Sequence, residues 1–137
     1  MTREKTHKPA VLVVDDEALI RWSLSEALAE AGFAVGMAAN GAEARVVLAA
    51  YGRDPLVVLL DMRLPDVNDL SLAREIRARR TDAPLILMSA HLTPDDVKAA
   101  EALRIFRVVS KPFDVREVVK LVGEAWPGHR GPQEEVT

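Results

Sequence analysis

The first apolar run of the chain reads Val11-Leu12-Val13-Val14-Asp15-Asp16, so four aliphatic residues give way abruptly to two carboxylates. The same change occurs at Val57-Val58-Leu59-Leu60-Asp61, at Leu85-Ile86-Leu87-Met88-Ser89, and where Val108-Val109 precedes Lys111-Pro112. Such unbroken aliphatic runs are typical of parallel strands, which are buried on both faces. If the four runs are parallel strands of one open sheet, the reactive residues all lie at its carboxyl edge, where such sheets bind ligands.

Segments with helical periodicity separate the apolar runs. Between 18 and 31 the apolar residues recur at helical spacing, and Gly32 follows where that helix should end. Asn40 and Glu43 have the spacing of a capping box, which predicts a helix that reaches about Ala50. Parallel neighbours need crossover connections, so this alternation predicts an α/β fold with a parallel sheet. The other predicted elements are strands at 33–37, 56–60 and 106–109, a strand opened by Pro84, and helices at 70–80, at 93–103 and after Asp114.

The composition indicates one soluble domain. At 137 residues the chain is long enough for a single hydrophobic core. We expect that domain at 10–126, a flexible N-terminal segment at 1–9, and a disordered tail or the start of a linker at 127–137. The net charge of −3 gives no broad basic surface for nucleic acid or an anionic membrane. Because cysteine, a signal peptide and an apolar stretch of about 20 residues are all missing, we expect a cytoplasmic protein without membrane spans.

The basic stretch at 74–80 is a local exception to this acidic balance. We interpret it as the solvated face and the last turn of a helix, where cations complement the helix dipole. A docking patch for a partner is the alternative interpretation.

Three carboxylates, a hydroxyl and an ammonium meet at the predicted sheet edge, and together they suit a divalent cation and a phosphoryl group. Taken singly, Asp15 and Asp16 could cap a helix, and Asp61 could be a loop acid. Ser89 alone would be an ordinary turn residue, and Lys111 alone a surface lysine. Placed together without compensation, however, the carboxylates would repel one another, so a bound cation is the simpler explanation.

Four motifs in this order resemble the receiver domain of bacterial two-component response regulators: Val-Val-Asp15-Asp16-Glu17, Asp61-Met62-Arg63-Leu64-Pro65, Ser89-Ala90 and Lys111-Pro112-Phe113. Each motif is common by chance, whereas four in order at predicted strand ends form a specific signal. The resemblance covers about 10–125. It implies a flavodoxin-like, doubly wound sheet of five parallel strands in the order 2-1-3-4-5, with five helices.

The resemblance also implies a phosphorylation site and a metal site. It makes Asp61 the phosphoacceptor, which takes a phosphoryl group from a phosphohistidine of a histidine kinase or a histidine phosphotransfer protein. Mg²⁺, or Mn²⁺ in its place, would be bound by Asp16, Asp61 and the backbone carbonyl of Arg63, with Asp15 acting mainly through bound water.

Two further residues receive roles by the same resemblance. Lys111 would pair with one phosphate oxygen, and Ser89 would donate its hydroxyl to another. The lysine-proline peptide bond is usually cis in this family, which would aim Lys111 into the crevice.

The implied function is a phosphorylation-dependent signalling switch that catalyses its own phosphorylation and dephosphorylation and is not classed as an enzyme. Its output would be an effector protein or homodimerisation, without direct binding of nucleic acid by this chain. The run Leu19-Ile20-Arg21-Trp22-Ser23-Leu24 looks similar to receivers that precede ATP-dependent transcriptional activators. Both a stand-alone receiver and a part of a larger regulator are consistent with the sequence.

Two other functions compete with this reading. A pseudo-receiver that serves only as a binding module is the first alternative, although neither the acidic pair nor the phosphoacceptor is lost here. An aspartyl-nucleophile phosphohydrolase resembling the haloacid dehalogenase family is the second. That family carries an Asp-x-Asp pattern on its first strand, and Asp15-Asp16-Glu17 lacks this spacing.

Two departures from the family pattern concern the switch. Asn68-Asp69 stands where Asp-Gly is usual, and we expect a similar turn because Asn and Asp are the next residues after glycine to tolerate positive φ. Val108 replaces a Tyr or Phe that swings inward on activation. In a strand, Phe106 would point to the same face as Val108 and could substitute for that ring. An ordinary packing role for Phe106 is the alternative.

Three more side chains are candidates for tuning and recognition. Arg63 and His91 each come two residues after a site residue and would flank the path of a water that attacks the phosphoryl group, although His91 also fits a plain loop histidine. Trp22 lies off the apolar stripe of the first helix, so we expect it to be partly exposed. It is either a contact for a kinase or phosphotransfer partner or an ordinary surface residue.

Overall fold

A computed structural model describes residues 9–126. The predicted tail at 127–137 and nearly all of the predicted flexible segment at 1–9 lie outside these described residues. Within 9–126, strands and helices alternate in the order that the sequence predicts. They are β1 (Ala10–Val14), α1 (Ala18–Glu30), β2 (Ala34–Ala38), α2 (Gly41–Tyr51), β3 (Leu56–Asp61), α3 (Ser71–Arg79), β4 (Leu85–Ser89), α4 (Pro94–Ala102), β5 (Arg107–Ser110) and α5 (Val115–Ala125).

The five strands form one parallel sheet in the order β2-β1-β3-β4-β5. This confirms the predicted flavodoxin-like fold and its strand order. The register aligns the carboxyl ends of the central strands, because Val14 is opposite Leu60 and Asp61 is opposite Met88. The residues at the carboxyl ends of β1, β3 and β4 therefore lie at one edge of the sheet.

Helices cover both faces of the sheet, which explains the unbroken aliphatic runs. On one face, strand residues such as Leu12 and Leu60 pack with Leu48 of α2, Ile76 of α3 and Ala100 of α4. On the other face, α1 and α5 supply the buried residues Leu24, Leu28, Val118, Val122 and Ala125. Alternate residues of each strand point to opposite faces, so both must be apolar.

The helix starts follow the predicted caps, with one variation. Asn40 Oδ1 accepts a hydrogen bond from the Glu43 amide at 2.8 Å, but Glu43 Oε1 accepts from the Ala39 amide rather than from that of Asn40. The complete capping box belongs to α4, where Thr93 and Asp96 bond reciprocally. These local hydrogen bonds satisfy amides that have no partner within the helix, so the helix boundaries were predictable to within about two residues.

The prediction that the basic stretch is a solvated helix face is wrong for two of its arginines. Arg77 and Arg80 are buried, whereas Arg74 and Arg79 are exposed. The Arg77 guanidinium donates to five backbone carbonyls, those of Arg80, Thr81, Ala83, Leu103 and Arg104, at 2.7–3.2 Å. Burial lowers the pKa of Arg77 from its ordinary value. A guanidinium has five N–H donors, so it can satisfy the free carbonyls where α3 and α4 end.

The turn at Asn68-Asp69 also differs from the expectation. Within 9–126, Arg104 is the one non-glycine residue with positive φ, at 57°, so neither Asn68 nor Asp69 adopts the left-handed conformation. Asp69 Oδ1 instead accepts a hydrogen bond from the Ser71 amide at 2.9 Å, at the start of α3. The residue in the place of glycine thus supplies a hydrogen bond to the first residue of α3 in place of backbone freedom.

None of the helices within residues 9–126 is long and apolar enough to cross a membrane.

Candidate functional site

The three predicted acidic residues meet at the carboxyl edge of the sheet. Asp15 and Asp16 follow β1, and Asp61 is the last residue of the neighbouring strand β3. One carboxylate oxygen from each lies within 4.8 Å of the others. Asp15 is fully buried, Asp61 is 5% exposed, and Asp16 is exposed to solvent. The pocket therefore has a buried acidic floor with one acidic side chain at its rim.

Lys111 closes the pocket from the side of β5. Its Nζ lies 2.9 Å from Asp15 Oδ2, 3.0 Å from Asp61 Oδ2 and 3.1 Å from Glu17 Oε1. The Lys111 amide donates to the carbonyl of Ser89 at 2.8 Å, which ties the turn after β5 to the end of β4. The Lys111-Pro112 peptide bond is cis, as the family resemblance implies.

The charges in the pocket perturb one another. Burial raises the pKa of Asp61 above its ordinary value and the nearby Asp15 charge adds to this, while the hydrogen bonds from the Arg63 amide and from Lys111 oppose it. Burial alone would lower the pKa of Lys111, but its contacts with Asp15, Asp61 and Glu17 outweigh burial and raise it. Lys111 is therefore charged at neutral pH and offsets part of the acidic repulsion.

The donor set fits a hard divalent cation. The buried Asp15 Oδ2 has the Lys111 ammonium at 2.9 Å as its counter-charge, but Asp15, Asp16 and Asp61 together bring three carboxylates to this one ammonium. The negative charge in the pocket therefore exceeds the positive charge, and a divalent cation would offset the repulsion. Mg²⁺ and Mn²⁺ prefer oxygen ligands, and one or two carboxylates with a carbonyl and waters make up a usual magnesium site.

Arg63 lies immediately beside this cluster. Its amide donates to Asp61 Oδ1 at 3.0 Å, and the Met62 amide donates to the carbonyl of Met88 at 3.0 Å. The chain therefore turns sharply after Asp61 and stays close to the carboxylate. The Arg63 side chain is exposed, which is compatible with the predicted role at the mouth of the pocket.

Ser89 is at the predicted strand end but faces its own loop. Its hydroxyl donates to the carbonyl of His91 at 3.0 Å and accepts from the His91 amide at 3.1 Å. Ser89 is 2% exposed, while the His91 side chain is exposed. The hydroxyl is thus engaged with the segment that leads to α4 rather than with the carboxylates.

The prediction that Phe106 shares a face with Val108 is wrong. Val108 packs on the face covered by α2, α3 and α4, whereas Phe106 packs on the face covered by α1 and α5. Strand β5 begins at Arg107, so the strict alternation of side chains does not extend back to Phe106. The Phe106 ring instead contacts the guanidinium carbon of Arg107, which lies 5.0 Å from the ring centroid. Phe106 therefore has a packing role and cannot substitute for an aromatic residue at 108.

Two residues that the sequence left without a role also belong to the site. Glu17 contacts Lys111, and its amide donates to Asp15 Oδ1 at 2.9 Å. Arg21 Nη1 donates to the carbonyl of Asp15 at 2.8 Å from the first turns of α1. The position of Glu17 beside the acidic pair was a signal for its role. Nothing in the sequence indicated that Arg21 turns back toward Asp15.

An apolar surface adjoins the pocket. Trp22 is 60% exposed on α1, as predicted, and Leu19 of the same helix is 73% exposed. A groove beside them leads to Lys111 and is lined by Leu19, Ile20, Ser23, Pro112, Phe113 and Val115.

Comparisons with known proteins give a consistent family. A family model described as the response regulator receiver domain matches residues 11–123. The DNA-binding transcriptional regulator NtrC of Escherichia coli K12 is 41% identical over 115 residues, which are 84% of this chain and 24% of that protein. The regulatory protein AtoC of the same organism is 39% identical over 117 residues, again 84% of this chain and 24% of the relative. The chain thus spans about a quarter of the length of these relatives.

Solved structures agree with the sequence relatives. A response regulator receiver protein from Pseudomonas putida superimposes with a TM-score of 0.78 at 30% identity, and the match covers 85% of this chain and 97% of that one.

Proposed function

The chain belongs to the response regulator receiver domain family of two-component signalling, and from this premise we propose that Asp61 is its phosphoacceptor. The observation that carries the proposal is the position of Asp61. It ends β3 at the carboxyl edge, within 4.8 Å of two other acidic oxygens and 3.0 Å from the Lys111 ammonium. A carboxylate in such a place shares its pocket with the other acidic groups that could bind a cation and with the positive charge of Lys111.

The proposed reaction is the transfer of a phosphoryl group from a phosphohistidine to Asp61. A carboxylate oxygen of Asp61 attacks phosphorus, the bond from phosphorus to the imidazole nitrogen breaks, and its electron pair stays on that nitrogen. The product is an acyl phosphate on Asp61 and a free histidine on the partner. Bound Mg²⁺, or Mn²⁺, supplies the positive charge that reduces repulsion between the carboxylate and the phosphoryl oxygens.

The surrounding residues have distinct roles in this proposal. Asp16, Asp61 and the carbonyl of Arg63 hold the cation, with Asp15 acting through bound water. Lys111 moves from its carboxylate partners to a phosphate oxygen, which it can reach because it already lies 3.0 Å from Asp61 Oδ2.

Ser89 would transmit the change to the rest of the domain. Its hydroxyl would leave the carbonyl of His91 and donate to a phosphoryl oxygen instead. The hydrogen bond that Ser89 donates to the His91 carbonyl would then break, which loosens the segment that precedes the Thr93 cap of α4. Since Val108 is small and Phe106 lies on the other face of the sheet, this switch would work without an aromatic side chain moving inward.

The proposed phosphodonor is a sensor histidine kinase or a histidine phosphotransfer protein. Leu19 lines the groove that leads to Lys111, and Trp22 is exposed about one turn further along the same helix. A partner docked at this groove would bring its histidine to Asp61. The output would be an effector protein or a homodimer, and the relative NtrC, a DNA-binding transcriptional regulator, favours regulation of transcription as the process. Arg63 and His91, both exposed, would influence the lifetime of the acyl phosphate.

Intact mass spectrometry tests the proposal directly. The protein would be mixed with acetyl phosphate and Mg²⁺, beside Asp61→Asn and the matched control Asp54→Asn, which changes an exposed acid before the same strand. We expect one added phosphoryl group in the wild type and in D54N, and none in D61N or after chelation of Mg²⁺. A folded wild type that gains no phosphoryl group would favour the pseudo-receiver, a binding module without phosphorylation.

A further inference from the structure

Asp66 joins the loop after Asp61 to helix α2. Its Oδ1 accepts a hydrogen bond from the Gly41 amide at 2.8 Å, and its Oδ2 accepts from the Ala42 amide at 3.1 Å. These contacts span 25 and 24 residues of sequence. Both carboxylate oxygens are therefore committed to the first turn of α2, where the helix dipole favours an anion.

The loop that carries Asp66 is closed on itself. The Leu64 amide donates to the carbonyl of Val67 at 2.8 Å, and the Val67 amide donates back to the carbonyl of Leu64 at 3.2 Å. Pro65 and Asp66 form the tip between these two residues. Leu64 is buried, so the base of the loop is anchored in the core. A shift of Asp66 would therefore also shift Leu64, because hydrogen bonds hold the loop between them closed.

Close packing reinforces the contact with α2. A Cβ atom placed on Gly41 would lie 2.8 Å from Val67 Cγ2 and 3.2 Å from Asp66 Oδ1. Only glycine permits this approach without displacement. The loop tip and the start of α2 therefore fit each other in shape as well as in hydrogen bonding.

The other end of the loop is the candidate metal site. Arg63 immediately precedes Leu64, its amide bonds Asp61 Oδ1, and its carbonyl is a proposed cation ligand. The peptide unit that carries the Arg63 carbonyl is held by the Leu64 amide, which donates to the Val67 carbonyl, and the Arg63 amide just before it is held by Asp61. Residues that orient ligands from outside the coordination sphere influence metal affinity strongly.

Capping of α2 does not by itself account for Asp66. Asn40 and Glu43 already cap this helix from within its own first turn. Asp66 adds a connection that those residues cannot make, because its carboxylate hydrogen-bonds the helix from the loop of the acidic pocket.

We infer that Asp66 is a positioning residue that holds the Arg63 end of this loop against α2 and thereby raises the affinity of the pocket for Mg²⁺. This inference rests on the proposed function, since it assumes that the pocket binds the cation. Mg²⁺ binding and the contact between Asp66 and α2 should then strengthen each other.

Calorimetric titration with Mg²⁺ tests the inference on the whole chain. The variants are Asp66→Ala, Asp66→Asn and the matched control Asn40→Ala, which removes a cap of the same helix without touching the loop. We expect D66A to weaken Mg²⁺ binding on the order of tenfold. D66N, which keeps one acceptor oxygen, should lie between D66A and the wild type, and N40A should bind as the wild type does. Thermal unfolding of each variant measures how much stability is lost with the acceptor side chain at the start of α2, because D66A and N40A each remove one such side chain.

Three outcomes decide the matter. Weaker binding in D66A than in an equally destabilised N40A supports the positioning role. Equal Mg²⁺ affinity in D66A, N40A and the wild type overturns it and leaves the proposed function intact. Absence of Mg²⁺ binding by the folded wild type overturns the proposed metal site and this inference together. Amide hydrogen exchange gives a readout without metal, because D66A should accelerate exchange at Gly41 and Ala42.

Discussion

Lys111 Nζ lies 3.0 Å from Asp61 Oδ2, although the two residues are 50 positions apart in the chain. The contact connects the end of β3 to the turn after β5, across the intervening strand β4. It gives the acidic pocket a positive charge before any phosphoryl group or cation is present. The stability of the free domain and the chemistry proposed for it therefore depend on the same side chain.

Replacement of Lys111 by methionine should destabilise the metal-free domain, because Asp15 and Asp61 then lose their counter-charge. We expect the free energy of unfolding to fall by on the order of 2 kcal/mol. This is less than the usual cost of breaking a fully buried ion pair, because Glu17 and Asp16 reach solvent. Mg²⁺ should raise the melting temperature of K111M more than that of the wild type. Lys120→Met, on the exposed side of α5, is the control. Equal Mg²⁺ effects in K111M and the wild type would contradict the prediction.

Replacement of Arg77 should be among the most destabilising single changes in the chain. Five backbone carbonyls would lose their donor, and several would be left buried. We expect Arg77→Met to lower the free energy of unfolding by about 3 kcal/mol, measured by urea denaturation. The control Arg74→Met changes an exposed arginine of the same helix and should alter stability by less than about 0.5 kcal/mol. A small effect of R77M would mean that water satisfies the carbonyls.

Two glycine-to-alanine substitutions in helices should change the stability of the domain in opposite directions. At Gly41 the new Cβ would approach Val67 Cγ2 to 2.8 Å, so we expect G41A to cost about 1–2 kcal/mol through overpacking. At Gly123 in α5 the new Cβ would meet no atom within 4 Å other than its chain neighbours and the backbone of its own helix, so G123A should stabilise the domain by about 0.5–1 kcal/mol through helix propensity. Urea denaturation of both variants measures the difference. The idea fails if G41A is as stable as the wild type.

The carboxylate of Asp66 should make the stability of the domain depend on pH in the acid range. Hydrogen bonds from the amides of Gly41 and Ala42 lower the pKa of Asp66 below its ordinary value of 3.8, against an opposing effect of burial. The folded state therefore binds the proton less tightly than the unfolded state does. The stabilisation is present above the unfolded pKa and is lost as the pH falls through the folded one.

The comparison of wild type with Asp66→Asn isolates this contribution. The difference in melting temperature between the two should be constant near neutrality and should shrink as the pH is lowered through the range below 3.8. Melting temperatures measured over a series of acidic buffers check this. If the difference in melting temperature instead grew toward acid pH, the pKa of Asp66 would not be lowered by folding, and the prediction would be refuted.

The strand and helix pattern was readable from the sequence because it depends on local chemistry. Aliphatic runs such as 11–14 and 57–60 can be buried on both faces only in a covered parallel sheet. The caps at Asn40, Thr93 and Asp114 act within three residues of their own positions, so their signals lie side by side in the chain. The same reasoning brought Asp15, Asp16 and Asp61 to one edge, because parallel strands share a carboxyl end. The strand order came from the resemblance to the family.

Several contacts were decided by the tertiary structure alone. Asp66 reaches α2, Arg77 reaches the end of α4, and Arg21 turns back to the carbonyl of Asp15. Composition predicts that such polar side chains are solvated, and only the path of distant loops shows which backbone groups lack partners. Phe106 went to the opposite face because β5 begins one residue later than the apolar pattern suggested. Local periodicity determines which residues must be buried, whereas the meeting of separate segments determines which polar groups each loop must satisfy.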